Sequence, residues 1–238
     1  MTMREASARF PEPHSNLGLH SLAREMEAFA AMALRPQIHP VDDLPEGDGH
    51  TVLVLPGFLA GDWTTARLRE VIAALGYRVV PPDIFFNAGP TKQMLAHLER
   101  KLTELVETTG APISLVGVSL GGVLARQLAL DNPKAVRCVV TLCSPIRYPV
   151  ITPLQPFAQA LTPFHEPSWL DRRNEIGGAL PMPVTAIYSE EDGIVDWRQC
   201  LQDEAPGAIN VRVTGAHTTI GSNREAHRAV ARALAAAI

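Results

Sequence analysis

The chemistry-bearing stretch of this 238-residue chain is Gly117-Val118-Ser119-Leu120-Gly121. An apolar run, Ile113 to Val118, leads into it, and a helix-prone run, Val123 to Leu130, follows at once. Strand, tight turn and helix are the context in which Gly-x-Ser-x-Gly presents a serine nucleophile. A serine at so sharp a turn must hold a strained backbone. Glycines two residues before and after it let strand and helix approach each other. The first N–H groups of the new helix, which lack intrahelical acceptors, then lie beside the serine oxygen. The bland alternative is a glycine-rich connection that happens to carry a serine.

A serine hydroxyl reacts at neutral pH only with a base in reach, and that base needs an acid to fix its tautomer. The base must sit at the carboxyl edge of the strands, as Ser119 does. His14, His20 and His39 belong to the amino-terminal segment, and His50 enters a strand from the wrong end. His97 and His227 fall inside helical runs, and His165 in an irregular insertion. Only His217 follows the carboxyl end of a strand, in a glycine-flanked loop. By the same test the acid comes from Ser189-Glu190-Glu191-Asp192-Gly193. Asp192 is favoured because Gly193 permits a tight turn back toward the histidine. Glu190, Glu191 and Asp196 remain as substitutes. The third requirement is a pair of N–H groups for a carbonyl oxygen that gains charge. Leu120, after the serine, supplies one. Phe58 in the Pro56-Gly57-Phe58-Leu59 loop supplies the other, with Leu59 in reserve.

The elements that must position these groups alternate. Thr51–Leu55, a strand within the turn-and-strand segment Gly76–Pro81, Ile113–Val118, Val136–Leu142, Pro183–Tyr188 and Ile209–Val213 read as strands, Thr51–Leu55 and Val136–Leu142 as buried ones. Helices are expected from Asp62 or Thr64 to Leu75, from Thr91 to about Thr108, after the elbow, and from Ser222 to Ile238. This is the α/β pattern: a mostly parallel central sheet with helices on both faces. The alternation fails over residues 146–180, where five prolines and scattered large apolar groups predict a short cap over the site. Before the sheet, residues 1–14 read as a polar tail and residues 36–50 as a connector. Between them a helix is expected from an N-cap at Ser15 to Leu34. Its apolar face would be Leu19, Leu22, Met26, Phe29, Ala30 and Ala33, with Arg24, Glu25 and Glu27 turned away. The expected division is therefore 1–49, tail and amphipathic helix, and 50–238, the α/β domain.

A net charge of −4 without a basic cluster argues against nucleic acid as a partner. Three cysteines, Cys138, Cys143 and Cys200, make no disulfide framework and read as reduced core residues of a cytoplasmic protein. No run has the length of a transmembrane helix, and the amino terminus lacks the apolar stretch of a signal peptide. Oligomeric state is not legible.

Four segments, in order, resemble the α/β-hydrolase family of small bacterial lipases and esterases. They are Val54 to Phe58, Val116 to Gly122, Tyr188 to Val195 and Gly215 to His217. Asn87 to Thr91 and Thr141 to Pro145 are also similar to bacterial lipase-like members. The similarity spans roughly residues 50–238 and places Pro56-Gly57 where the family commonly has His-Gly. It implies a Ser119, Asp192, His217 triad in that chain order. Apolar residues expected around Ser119 are Phe58, Leu59, Phe85, Phe86, Leu120 and Leu154, together with Phe157 and Ile194. Such a lining suits a small-molecule ester or lipid-like substrate with an apolar acyl or alcohol group. Neither a metal nor an organic cofactor is implied. Acyl transfer or thioester cleavage by the same triad, and non-enzymatic binding, are the rival readings.

Overall fold

The structure, a computed structural model, describes residues 17–34 and 43–237. Six strands form its frame: β1 (Thr51–Leu55), β2 (Arg78–Val80), β3 (Ile113–Val118), β4 (Val136–Leu142), β5 (Val184–Ser189) and β6 (Ala208–Val213). They pair in the order β2-β1-β3-β4-β5-β6, and every pairing is parallel. A strand covered on both faces must be apolar at every position, because successive side chains point to opposite sides. In β1, Val52 and Val54 pack on one face with Leu68 and Ile72 of α2 (Ala66–Ala74) and Val230 and Leu234 of α8 (Arg224–Ala235). Leu53 and Leu55 pack on the other with Leu98 and Leu102 of α3 (Lys92–Thr109) and Leu124 and Leu128 of α4 (Leu120–Asp131). Helices thus cover both faces, as the alternating pattern predicts.

Register decides which loops meet. Leu55 of β1 lies beside Gly117 of β3. The chain two residues on, Gly57 and Ser119, is therefore also side by side: a Cβ built on Gly57 would stand 3.2 Å from Ser119 Cβ. Ser189 of β5 lies beside Val213 of β6, so the turns after them, which carry Asp192 and His217, are neighbours. This carboxyl edge is where open parallel sheets bind ligands.

The cap between β4 and β5 is three short helices, α5 (Gln155–Leu161), α6 (Pro167–Asp171) and α7 (Arg173–Gly177). It is tied down at several points. Arg126 of α4, 1% exposed, donates through Nε to Ile176 O at 2.8 Å and through Nη2 to Gly178 O. Glu166 N–H reaches Pro90 O at 2.9 Å, and His165 Nε2 lies 3.0 Å from Ala88 O.

The amino-terminal helix α1 runs Leu19–Leu34; Ser15, its expected cap, and the side chain of Ala33 lie outside the described residues, as do the tail and most of the connector. Its orientation corrects the sequence reading. Leu19 is 88% exposed and Met26 60% exposed, whereas Ser21 and Glu25 are each 1% exposed. The helix turns Ser21 and Glu25 inward, beside a half-buried Leu22 against Ile194 and Val195, because what it packs on is not hydrocarbon alone. It is the pair of turns carrying Asp192 and His217, whose backbone N–H groups need acceptors. No helix among the described residues is long and apolar enough to cross a membrane.

Candidate functional site

Ser119 occupies the turn between β3 and α4 with φ 53° and ψ −124°, a left-handed strained conformation for a non-glycine residue. The neighbouring glycines are required by space. A Cβ on Gly117 would fall 2.3 Å from Gly122 N, and one on Gly121 would fall 2.4 Å from Leu55 O. Both obstacles are backbone. Close packing of β1, β3 and α4 is what holds the serine up at the end of the sheet.

Asp192 is held by its own turn. Its Oδ1 accepts from Ile194 N at 2.8 Å and Val195 N at 2.7 Å, and its Oδ2 lies 2.6 Å from His217 Nδ1. Both side chains are almost fully buried. Burial opposes charging of His217, but the charge and hydrogen bond of Asp192, with a further contribution from Glu25, outweigh it. The imidazole therefore titrates above its ordinary value. Gly193 has a different role from the expected one. Its φ is not in the positive region, and a Cβ there would stand 2.9 Å from Glu25 Cγ and from Ser21 O, so glycine is needed to admit α1.

The substitute acids are engaged elsewhere. Glu190 pairs with Arg212 at 3.0 Å, Glu191 accepts from Gly215 N at 2.8 Å, and Asp196 accepts from Arg198 N at 3.0 Å. The other described histidines have structural partners or stand apart. His50 lies between Asp48 and Ser114, His97 against Pro82 O, His165 against Ala88 O and His227 against Gly221 O; His20 is exposed. His14 and His39 lie outside the described residues.

Among the described residues no acceptor takes Phe58 N–H or Leu120 N–H, whereas Leu59 N–H is donated to Asn87 O at 2.8 Å. The loop that presents Phe58 N–H is clamped by Asn87, which is fully buried. Its Nδ2 donates to Pro56 O at 3.0 Å, its Oδ1 accepts from Gly89 N at 3.1 Å, and its N–H reaches Ala60 O at 2.8 Å.

Two cavities open on Ser119. One, of about 350 Å³, runs beneath the cap past Leu120, Val123 and Trp169 to Arg173. The other, of about 550 Å³, passes Leu59, Trp63 and His217 and is bounded by Phe29 and Met32 of α1. Phe58, Ser119, Leu154 and Ile194 line both, so the serine stands at their junction. At the far end of the first, the Arg173 guanidinium stacks 4.8 Å over Trp169 and donates to Pro145 O at 2.7 Å. Burial pushes it down to about 10.

Three residues expected in the lining lie outside both cavities. Phe85 is 91% exposed and Phe86 50% exposed, because the loop is pinned by buried Ile84 and Asn87 on either side of them. Phe157 is 58% exposed: Leu154, Ala158 and Thr162, four residues apart, form the cavity face of the cap helix, and Phe157 falls off it.

One group of metal-ligating side chains occurs among the described residues, Cys143, Asp192 and His217. It suits hydrogen bonding better than a metal. Burial pushes the Cys143 thiol well above its ordinary value, while a metal takes thiolate, and His217 Nδ1 is already held by Asp192. The three cysteines are free and buried.

A model of the alpha/beta hydrolase family matches residues 52–237. Similar solved structures include a monoacylglycerol lipase from Paleococcus ferrophilus. It is 16% identical with TM-score 0.57, over 82% of this chain and 96% of that one. A lipase-esterase related protein from Clostridium acetobutylicum is 15% identical with TM-score 0.56, over 82% and 97%. A thioesterase domain from the curacin biosynthetic pathway is 18% identical with TM-score 0.53, over 81% and 92%. Likeness at these identities is likeness of fold. No curated protein sequence matches significantly.

Proposed function

The chain belongs to the alpha/beta hydrolase family, and on that premise we propose that it hydrolyses carboxylic esters with apolar acyl or alcohol groups through an acyl-Ser119 intermediate. His217 Nε2 takes the Ser119 proton as the oxygen attacks the ester carbonyl, and then gives it to the departing alcohol. Water, deprotonated by the same imidazole, releases the acid and restores Ser119. Asp192 fixes the proton on Nδ1 and stabilises the imidazolium. Phe58 N–H and Leu120 N–H receive the charge that builds on the carbonyl oxygen, each contributing about 3–4 kcal/mol to the barrier reduction.

The observation that carries this reading is the 2.6 Å Asp192–His217 pair, whose histidine lines the same cavity as a serine held at positive φ. Two apolar cavities meeting at that serine support an ester with one apolar group in each, the leaving alcohol on one side and the acyl chain on the other. The test is turnover of p-nitrophenyl butyrate by wild type, Ser119→Ala and His217→Ala. Hydrolysis by wild type that falls at least about 10³-fold in both variants supports the reading. Equal rates in all three overturn it. Partition of the acyl group between water and an added alcohol separates hydrolysis from transfer.

A further inference from the structure

Glu25 takes no part in the proposed chemistry, yet it is among the most thoroughly bonded side chains of the molecule. Its Oε1 accepts from Gly193 N at 2.7 Å and from His217 N at 2.9 Å. Its Oε2 accepts from Thr218 N at 2.8 Å and stands 2.8 Å from Thr218 Oγ1. One helical turn earlier, Ser21 Oγ donates to Gly193 O at 2.8 Å. One carboxylate therefore binds the residue after the acid, the base's own backbone, and the residue after the base. The sheet joins the two turns that carry these groups only at their roots, Ser189 and Val213. Beyond that they are bridged by the Asp192–His217 pair, by Ser189 Oγ donating to Gly215 O at 2.6 Å and by Gly215 N donating to Glu191 at 2.8 Å. None of these reaches the backbone of Gly193, His217 or Thr218. The donor set is three backbone N–H groups and a hydroxyl, all of which ask for an acceptor. A neutral side chain of the same length has one acceptor oxygen and two N–H hydrogens, and cannot satisfy it. The helix that carries Glu25 precedes residues 52–237, the part that the family model matches.

We propose that Glu25 is a positioning residue for this site: α1 is a clasp whose buried carboxylate holds the acid turn and the histidine turn at the spacing that turnover needs. The proposal rests on the Ser119–His217–Asp192 reading and deepens it. Two consequences follow from geometry. Loss of the carboxylate lets the two turns drift apart, and misplacement of a catalytic group by about 1 Å costs on the order of 10²-fold in rate. Loss of its negative charge also removes one of the two carboxylates that favour the imidazolium form of His217. The groups that face His217 are Asp192 from the β5 turn, Cys143 from the end of β4, and Glu25 from α1. Of these, Cys143 stays uncharged because burial raises its thiol. Glu191 and Arg24 lie with Glu25 around a small surface pocket on the outer side of the clasp.

The experiment compares wild type, Glu25→Gln, Glu25→Asp and Ser21→Ala in the full chain. It records kcat, KM and the pH profile of kcat/KM with p-nitrophenyl butyrate, the rate of fluorophosphonate labelling, and Tm. Glu25→Gln is expected to lower kcat and the labelling rate together by about 10–100-fold, with KM within about threefold. The acid limb moves to lower pH, since His217 loses a neighbouring negative charge. Glu25→Asp keeps the charge but shortens the reach: kcat falls while the acid limb stays at the wild-type position. Ser21→Ala loosens the same helix without removing charge, and lowers Tm without moving the limb. If Glu25→Gln is too unstable to assay, the split between rate and limb in Glu25→Asp decides the matter. Glu25→Gln with kcat within twofold of wild type and an unmoved limb overturns the proposal, whatever its Tm. So does an acid limb that moves in Ser21→Ala or Glu25→Asp, since loosening alone then suffices. A wild type that takes no fluorophosphonate overturns the serine-hydrolase reading itself, and this proposal with it.

Discussion

Asp192→Asn is the substitution whose effect the structure specifies most fully. Three donors converge on the two oxygens of Asp192: Ile194 N and Val195 N on Oδ1, and His217 Nδ1 on Oδ2. Asparagine offers a single acceptor oxygen. If that oxygen stays with the two backbone N–H groups, the amide N–H₂ faces His217 Nδ1 and forces it to accept. The ring proton then sits on Nε2, where it blocks uptake of the Ser119 proton. The flipped amide restores the working tautomer but leaves two buried backbone N–H groups against amide hydrogens. An unsatisfied buried group costs about 1–3 kcal/mol, so the working arrangement lies about 2–6 kcal/mol above the idle one. At about 1.4 kcal/mol per decade, only one molecule in about 30 to 10⁴ is competent. The variant is expected to fold, to keep KM within about threefold, and to lose kcat by about 30-fold to 10⁴-fold toward p-nitrophenyl butyrate. A folded Asp192→Asn enzyme with kcat within threefold of wild type refutes the assignment of Asp192 as the orienting acid.

Gly117→Ala drives a Cβ to 2.3 Å from Gly122 N, an obstacle that no rotamer change removes. Its cost exceeds the ~1–3 kcal/mol of ordinary overpacking, and a urea midpoint equal to that of wild type contradicts the packing argument. Asn87→Ala removes the bonds to Pro56 O and Gly89 N. A loss of about 2–5 kcal/mol in stability is expected, with kcat down by up to about 10²–10³-fold as Phe58 N–H drifts; denaturant titration and steady-state rates read both. For pH, catalysis needs neutral His217, whose imidazole is raised above the ordinary value of 6.5. The acid limb of kcat/KM is therefore expected above pH 6.5. The linked stability has the opposite sense: the charged His217–Asp192 pair contributes fully below pH 6.5, and its contribution is lost as pH rises through the folded value. An acid limb below 6.5 contradicts this.

Strands β1, β3, β4 and β5 were legible because a parallel sheet buried on both sides demands largely apolar runs; the edge strands β2 and β6 are partly exposed and carry Arg78, Asn210 and Arg212. The places of Ser119, Asp192 and His217 at one edge of the sheet were legible by topology. Each follows the carboxyl end of a strand, and the structure brings Asp192 and His217 into hydrogen-bond contact because β5 and β6 are adjacent. The failures share one cause: which side of an element or loop is buried depends on what its neighbours need. For α1, periodicity correctly separates two faces but does not say which is buried. The usual assumption fails when the partner surface is backbone N–H as well as hydrocarbon. Phe85 and Phe86 point outward because the main chain beside them is fixed by Ile84 and Asn87, and polar anchors of that kind leave no periodic trace. Gly193 signalled a tight turn, when the need was room for a helix from 168 residues away. The helix also carries His20, Arg24 and Glu27, so nothing in the spacing singled out Glu25 as the buried acid.

The most direct test of the central claim is the intact mass of wild type and Ser119→Ala after exposure to a fluorophosphonate. A single adduct on wild type and none on Ser119→Ala is the predicted result, because only a hydroxyl activated by His217 and flanked by the Phe58 and Leu120 N–H groups reacts in this way. A folded wild type that gains no mass, or a Ser119→Ala variant that still gains it, contradicts the account.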